Sequence, residues 1–292
     1  MRAWRKNNLR ELRHSLGRWL AILAIVALGV GFFAGLKAAR PEMLLSGEEY
    51  LNRTALYDFH LLTTLGLTQA DVEAVQALDG VETAEGAVSV DAVAKLEDRE
   101  RTLKVLTICD TADRPDLTYG RMPESAGECL ADAHRFSEED VGKTMQIVRS
   151  SIDGCFAVQE LTITGLCTSP LYLNVERGTT ALGGGSIDAF LYVMKDAFAL
   201  DYFTEISVRA AGIDRTLYSD AYDEGLDALR PALTQLLEQR AQIRYENVIG
   251  DARRALSDAQ AEYEKGVADY QAQRADAEAQ LADAERELER GE

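Results

Sequence analysis

An uncharged stretch of 18 residues, WLAILAIVALGVGFFAGL from Trp19 to Leu36, constrains this chain more than any other feature. As a helix that rises 1.5 Å per residue, it would be about 27 Å long, close to the ~30 Å hydrocarbon core of a bilayer. A cleaved signal peptide has a shorter apolar region of ~7–15 residues, followed by a small-residue site of the A-x-A type. The residues after Leu36 do not have that pattern. The sequence therefore predicts a retained transmembrane helix over residues 19–36.

Charge is distributed unevenly on the two sides of this segment. Residues 1–40 contain eight of the 31 basic residues but one of the 49 acidic residues. Positive charges that flank a span remain in the cytoplasm, so we expect a cytoplasmic N-terminus at the cell membrane and an extracytoplasmic chain after about residue 40. The later part holds 23 basic and 48 acidic residues. Such an acidic chain has no net attraction for phosphate backbones, and we expect no nucleic-acid partner.

Two patterns predict how the N-terminal region contacts its surroundings. Apolar residues recur at i, i+3, i+7 and i+10 from Leu9, with arginines between them, so residues 1–18 are predicted to form a basic amphipathic helix on membrane lipid. Gly31 and Gly35 form a G-x-x-x-G pattern, which allows a neighbouring helix to approach closely. The alternative is that glycine is simply common in membrane helices.

Residues 37–216 contain short segments typical of strands and one short helix. Thr68 followed by Asp71 is an N-terminal capping pattern for that helix. The order β-α-β-β, followed by further strands, predicts an extracytoplasmic α+β domain with a mainly antiparallel sheet. We find no nucleophile motif, phosphate-binding loop or metal-ligand spacing in this region, and we expect no catalytic residue, cofactor or metal.

Four cysteines fall in the predicted extracytoplasmic region: Cys109, Cys129, Cys155 and Cys167. An extracytoplasmic setting permits disulfides, and four cysteines allow three pairings. The alternative is that they are small buried residues.

Residues 217–292 are rich in Ala, Glu, Gln, Arg and Leu, with apolar residues three and four apart. This spacing predicts a long coiled-coil helix with a stutter near Tyr263. A solvated single helix is the alternative. The pattern continues to Gly291, so we expect this helix to be the ascending half of a hairpin whose descending half is missing.

Together these segments resemble the N-terminal part of an FtsX-like, MacB-type ABC transporter permease of the large Gram-positive kind. The resemblance is carried by SLGRWLAILAIVALGVGFFAGL, YGRMPESAGECLAD, ITGLCTSPLYLNVERGTTALGGGSIDAFLYV and the coiled coil. Its most specific segment is GRMPESAGE, which contains the family-motif residues Gly120, Arg121, Pro123, Gly127 and Glu128. The resemblance implies that residues 37–216 are a MacB-like periplasmic core domain, with a porter-like β-α-β part and an inserted β-rich part.

The resemblance also implies a mechanical function. A permease of this type transmits motion from a separate cytoplasmic ABC ATPase to its extracytoplasmic domain, in export, in lipoprotein, lipid or peptide handling, or in cell-wall signalling. The implied partners are that ATPase, through regions absent from this chain, and the remaining transmembrane helices of the permease. The chain itself would not be an enzyme, and we expect it to be a fragment or a truncated product. The competing hypothesis is a single-span anchored adhesion or sensor protein with a coiled-coil stalk.

Overall fold

The structure is a computed structural model that describes residues 16–216 and 219–291. The amphipathic helix predicted over residues 1–18 lies almost wholly outside the described residues, and so does Leu217, the predicted start of the C-terminal segment. The chain divides into two compact units. The second unit comprises Thr63–Leu65 and the chain from Ala232 onward, and the first comprises the rest of the chain up to Pro231.

Helix α1 (Leu16–Arg53) has 38 residues and would be about 57 Å long. It contains the predicted apolar segment and is long and apolar enough to cross a membrane, and none of its residues is buried. The helix continues through Pro41, although a proline removes one backbone hydrogen bond within a helix. Residues 37–53, predicted as part of the extracytoplasmic domain, are therefore the last turns of α1.

A three-stranded antiparallel sheet with one short helix follows α1. It contains β1 (Phe59–Leu67), β2 (Val81–Ala87) and β10 (Phe203–Ala210), in the order β1-β10-β2. Helix α2 (Gln69–Gln76) lies between the first two strands along the chain. Asp71 Oδ2 accepts hydrogen bonds from the backbone N of Thr68 at 2.6 Å and from its Oγ1 at 2.7 Å, which confirms the predicted capping pattern.

The other seven strands form a second sheet. They are β3 (Ser89–Leu96), β4 (Arg99–Thr107), β5 (Asp116–Gly120), β6 (Glu128–Asp132), β7 (Thr144–Ser150), β8 (Glu160–Thr168) and β9 (Ala189–Val193). Their order is β5-β8-β6-β9-β4-β3-β7, and β7 also pairs with β8. Six strands therefore close into a small barrel, and β5 pairs with the C-terminal half of β8, beyond the residues that pair with β7. The pairs β4–β9 and β6–β8 are parallel and the others are antiparallel, so the prediction of a mainly antiparallel sheet is confirmed.

Alternating strand positions give this barrel two apolar layers. Its interior is filled by side chains that are at most 1% exposed: Leu103, Val105, Leu161, Ile163 and Leu191. Leu106, Phe190 and Tyr192, on the opposite face of their strands, form a cluster with Leu130 and Cys167. Successive residues of a strand point to opposite faces, so both sides of these strands are buried.

Helix α3 (Asp220–Gly291) has 72 residues and crosses into the second unit at Pro231. Its large apolar residues beyond residue 250 remain exposed: Leu256, Tyr263, Tyr270, Leu281 and Leu288. The predicted seam of the coiled coil is thus a continuous exposed stripe on this unit.

Candidate functional site

The two residues that follow α1 are buried in the sheet domain, in contrast to the helix itself, which has no buried residue. Thr54 is 2% exposed and Ala55 is 3% exposed. Thr54 Oγ1 donates to the carbonyl of Tyr50 at 2.8 Å, and Ala55 has a φ of 57°. A residue with positive φ at this position is a common way for a helix to end. The chain therefore turns sharply before it enters β1.

Residues 110–114, here named the socket, hold the carbonyl groups at this helix end. The backbone N of Asp113 donates to the carbonyl of Ala55 at 2.9 Å, and the backbone N of Arg114 donates to Thr54 at 2.8 Å. Arg114 Nη2 donates to the carbonyl of Arg53, also at 2.8 Å. The last carbonyls of a helix have no partner within it. Here three consecutive carbonyls bond to one segment of the sheet domain.

The contact between the end of α1 and the socket is here named the junction. Two side chains of α1 extend it to the barrel. Tyr50 Oη donates to Thr168 Oγ1 at 3.0 Å, at the end of β8. Arg53 Nη2 lies 2.7 Å from Asp116 Oδ2, at the start of β5. An exposed ion pair of this kind contributes little stability by itself, about 0–1 kcal/mol. It does fix which strands lie beside the last turn of α1.

Glu85 fixes the socket to the three-stranded sheet. Its carboxylate accepts hydrogen bonds from the backbone N of Asp110 at 2.8 Å, from the backbone N of Thr111 at 2.7 Å and from Thr111 Oγ1 at 2.6 Å. Because Glu85 belongs to β2, the socket bonds both to the helix end and to a strand of the first sheet.

Asp113 is the central acid of the junction and is 5% exposed. Its Oδ1 accepts a hydrogen bond from the backbone N of Tyr57 at 3.0 Å, and its Oδ2 accepts a short one from Ser207 on β10. Burial raises the pKa of Asp113 to about 6, although both hydrogen bonds oppose that shift. Nearby, His60 Nε2 lies 3.0 Å from Glu205 Oε2, and this hydrogen bond raises the pKa of His60.

Asp58 plays a similar part at the start of β1. Its carboxylate accepts from the backbone N of Ala210 at 2.8 Å, from Arg215 Nη1 at 2.9 Å and from Tyr222 Oη at 2.8 Å. Tyr222 lies in the first turn of α3. The first strand after α1 is therefore bonded to β10 and to the start of α3.

The family-motif residues lie away from the junction, where β5 turns towards β6. Gly120 has a φ of 80°, and a Cβ at this position would overlap the carbonyl oxygen of Thr164. A Cβ on Gly165, in the facing strand β8, would lie 2.7 Å from the carbonyl oxygen of Tyr119. Two glycines therefore allow the backbones of β5 and β8 to approach closely.

The rest of the motif forms a closed turn. Arg121 and Glu128 make a two-pronged ion pair, with Nη1 to Oε2 at 2.9 Å, and Glu128 also accepts from the backbone N of Glu124 at 2.8 Å. Arg121 lowers the pKa of Glu128 to about 2. Pro123 is buried, and a Cβ on Gly127 would make only ordinary contact. This geometry gives four of the five motif residues a structural role in the turn.

The four cysteines form no disulfide in the structure, where each is a buried free thiol. Cys129 and Cys167 lie on neighbouring strands, but Cys129 is opposite Ile163 and Cys167 is opposite Asp132. They are therefore about three residue rows, or ~10 Å, apart along the strands, beyond the ~7 Å Cα limit for a disulfide. Gly31 and Gly35 are exposed on α1, and a Cβ on either would meet nothing within 4 Å.

Among residues 16–216 and 219–291, no group of three potential metal ligands converges. The junction residues had no signal in the sequence. Asp113, Arg114 and Glu85 are ordinary charged residues in a chain with many of them, and their roles depend on long-range contacts.

No family model matches the chain, and no curated protein matches it in sequence. Two solved structures are similar to parts of the chain. The extracellular domain of the noncanonic ABC-type transporter YknZ from Gram-positive bacteria is 13% identical, with 51% of this chain and 76% of that chain covered and a TM-score of 0.35. The periplasmic region of MacB from Actinobacillus actinomycetemcomitans is 12% identical, with 59% and 75% covered and a TM-score of 0.34. Both are domains that lie outside the cytoplasm, and the first comes from an ABC-type transporter.

Proposed function

We propose that this chain is the N-terminal portion of an ABC transporter permease subunit, and that α1 transmits motion to the sheet domain through the junction. One observation carries the proposal: α1 runs from its apolar segment to Arg53 and ends in the socket. A displacement of the helix would therefore act directly on the domain.

The bonds of the junction reach both sheets, which supports movement of the domain as one body. Tyr50 and Arg53 contact β8 and β5, at the barrel. Glu85 and Asp113 connect the socket to β2 and β10, in the three-stranded sheet. A flexible link between the anchor and the domain would instead dissipate the motion, since an unrestrained chain absorbs displacement in its own dihedral angles.

In this proposal the N-terminus is cytoplasmic and the sheet domain is extracytoplasmic. The energy comes from a cytoplasmic ABC ATPase, which acts on the remaining transmembrane helices of the permease. Gly31 and Gly35 provide the surface of α1 on which those helices pack, and membrane lipid surrounds the rest. The work is done on an exported molecule, a lipid, a lipoprotein, a peptide or a cell-wall component.

The experiment begins with the gene that encodes the chain. Three or more further apolar spans downstream, together with an adjacent ATPase gene, are expected. The complex purified from both genes should hydrolyse ATP, and an introduced Ser150→Cys should be labelled on intact cells by an impermeant maleimide. A stop codon after the coiled coil, with no ATPase gene beside it, would contradict the proposal and favour an anchored adhesion or sensor protein.

A further inference from the structure

A cleft of about 940 Å³ lies beside one end of the barrel, and none of its lining residues belongs to the socket. It is lined by the start of β4, by Arg135 and by residues 175–179 and 186–188. Arg99 and Arg101 are two residues apart on β4 and share the strand face of Leu103, which fills the barrel. These two arginines therefore lie at the mouth of the barrel.

Three arginines in this cleft have spare hydrogen-bonding capacity. Arg101 Nη1 donates to the carbonyl of Arg135 at 3.1 Å, and Arg135 Nη2 donates to the carbonyl of Val175 at 2.9 Å. Within the part of the chain that the structure describes, none of Arg99, Arg101 and Arg135 forms an ion pair with a carboxylate. Each guanidinium has five N–H donors, so most of their donors are free for a ligand. In a domain with a large acidic excess, this is a local concentration of unpaired positive charge.

The wall of the cleft is fixed by a buried ion pair. Arg177 Nε lies 2.6 Å from Asp132 Oδ2, its Nη2 lies 3.1 Å from Oδ1, and both side chains are at most 1% exposed. The guanidinium also lies over the rings of Tyr172, at 5.5 Å, and Phe190, at 5.4 Å. This arginine is therefore neutralised and structural. It holds the segment after β8 against the barrel.

The acidic residues that line the cleft do not cancel the three arginines. Glu100 lies between Arg99 and Arg101 on β4, so it points to the opposite face of that strand. Asp188 Oδ2 accepts a hydrogen bond from the backbone N of Thr102 at 2.8 Å. Glu176 is exposed at the rim.

Two exposed aliphatic side chains lie on the segment between β8 and β9, part of which lines the cleft. Leu173 is 69% exposed and Val175, which lines the cleft, is 67% exposed. Adjacent apolar and cationic side chains at a surface match a ligand that has both an anionic head and an alkyl chain. A guanidinium binds phosphate through two parallel hydrogen bonds, which makes phosphate the best-matched head.

We propose that this cleft binds an anionic amphiphile, with its phosphate head on Arg99, Arg101 and Arg135 and its alkyl chain along Leu173 and Val175. The site is independent of the coupling role proposed for α1. A phosphate can belong to a lipid headgroup or to a small soluble molecule. The exposed leucine and valine favour the lipid.

The test uses the full chain in neutral detergent and three soluble probes: dihexanoyl phosphatidylglycerol, dihexanoyl phosphatidylcholine and glycerol 3-phosphate. Binding is measured by isothermal titration calorimetry. The variant with Arg99→Gln, Arg101→Gln and Arg135→Gln is compared with a control that has Arg253→Gln, Arg274→Gln and Arg290→Gln on α3. Both lose three positive charges, and partition of a probe into detergent is the same for both.

We expect the phosphatidylglycerol to bind at least ten-fold more tightly than the phosphatidylcholine, and we expect the cleft variant, but not the control, to lose this preference. Leu173→Ser with Val175→Ser should weaken the phosphatidylglycerol several-fold and leave glycerol 3-phosphate unchanged. Equal binding by the cleft variant and the control would overturn the site. Glycerol 3-phosphate binding as tightly as the phosphatidylglycerol would overturn the amphiphile and indicate a small soluble phosphate.

Discussion

Asp113 connects the end of α1 to the sheet domain with a carboxyl group that is poorly suited to burial. Its backbone N bonds to Ala55, and its side chain bonds to Tyr57 and Ser207. The same burial that orders these contacts raises its pKa to about 6. The residue therefore fixes the geometry at the expense of stability at neutral pH.

Replacement of Asp113 by asparagine should remove this loss of stability at neutral pH. An unfolded aspartate ionises near pH 4. Between pH 4 and 6 the folded state keeps a proton that the unfolded state has released, so stability falls as the pH rises through this range. Asparagine keeps the shape, tolerates the φ of 50° and has no charge to bury. The free energy of unfolding of Asp113→Asn, relative to wild type, should therefore rise by about 2 kcal/mol from pH 4 to pH 7.

Urea unfolding of the full chain, followed by tyrosine fluorescence at pH 4, 5.5 and 7, measures that difference. Asp110→Asn is the control because Asp110 is exposed and uses only its backbone N in the socket. A difference between wild type and Asp113→Asn that stays constant with pH would argue against a strained carboxyl group.

The four cysteines should be unreactive while the protein is folded. Burial raises the pKa of Cys109, Cys129 and Cys167, and the thiolate is the reactive form. Without reductant, Ellman's reagent should therefore titrate no thiol in the native chain and all four in guanidinium. An introduced, exposed Ser151→Cys should react at once as the positive control. Fewer than four thiols after unfolding would reveal a disulfide and contradict the structure.

For single residues, the sequence predicts roles that depend on local patterns well and roles that depend on long-range contacts poorly. Thr68 and Asp71 were predictable because a capping pattern needs only four residues. Gly120 was singled out by its motif, but its reason, the close approach of Thr164, depends on a strand more than 40 residues away. Glu85 and Asp113 had no local pattern at all.

Helix α1 is the element on which the proposed packing with neighbouring spans depends. A Cβ at Gly31 or Gly35 would meet nothing within 4 Å, so the chain itself leaves this surface free. We expect Gly31→Leu or Gly35→Leu to lower the yield of assembled full-length complex more than Val30→Leu, because leucine fills the groove that a partner helix enters. Gel filtration of the complex measures the yield. Equal yields for all three variants would count against a packing role.

Helix α3 is predicted to need a second helix as its partner in the coiled coil. Its apolar stripe beyond residue 250 is exposed, and its remaining seam positions include Ala252, Ala259, Ala277 and Ala284. Burial of a methyl group contributes ~0.8 kcal/mol, against ~1–2 kcal/mol of backbone entropy for each ordered residue. A 219–292 peptide should therefore be only partly helical by circular dichroism at micromolar concentration. A cooperative melt whose midpoint rises with peptide concentration would indicate a self-associating stalk instead.

Four strands and one helix show where the prediction of secondary structure from sequence fails. The segment VETAEGAVSVDAVAKLE is divided at Val88 into β2 and β3, which belong to different sheets. Strands β5 and β6 have five residues each and, unlike the equally short β9, are not continuous apolar runs, so their sequences carry little strand signal. Helix α1 continues through Pro41, since a helix tolerates one missing backbone bond where nothing packs against it.

At the scale of the whole molecule, the sequence predicts an apolar helix, then an α+β domain and then a long helix, and the structure has that order. It does not predict that six strands close into a barrel. That closure depends on the pairing of β7 with β8 and of β4 with β9, which are set by packing between distant segments. The arginine cleft at the mouth of the barrel follows from the same closure.

Coupling through the socket requires that α1 and the sheet domain move as one body. Spin labels at introduced Glu42→Cys and Glu138→Cys test it in the membrane-reconstituted protein, because both positions are exposed and the native thiols are buried. A junction variant combines Tyr50→Phe, Arg53→Ala and Arg114→Ala. A control combines Tyr245→Phe, Arg253→Ala and Arg290→Ala on α3.

Double electron–electron resonance between the two labels should give one narrow distance distribution in the wild type and in the control. The junction variant should broaden it, because the variant loses the Thr168, Asp116 and Arg53 carbonyl contacts. A broad distribution in the wild type, or an unchanged one in the junction variant, would contradict rigid coupling through the socket.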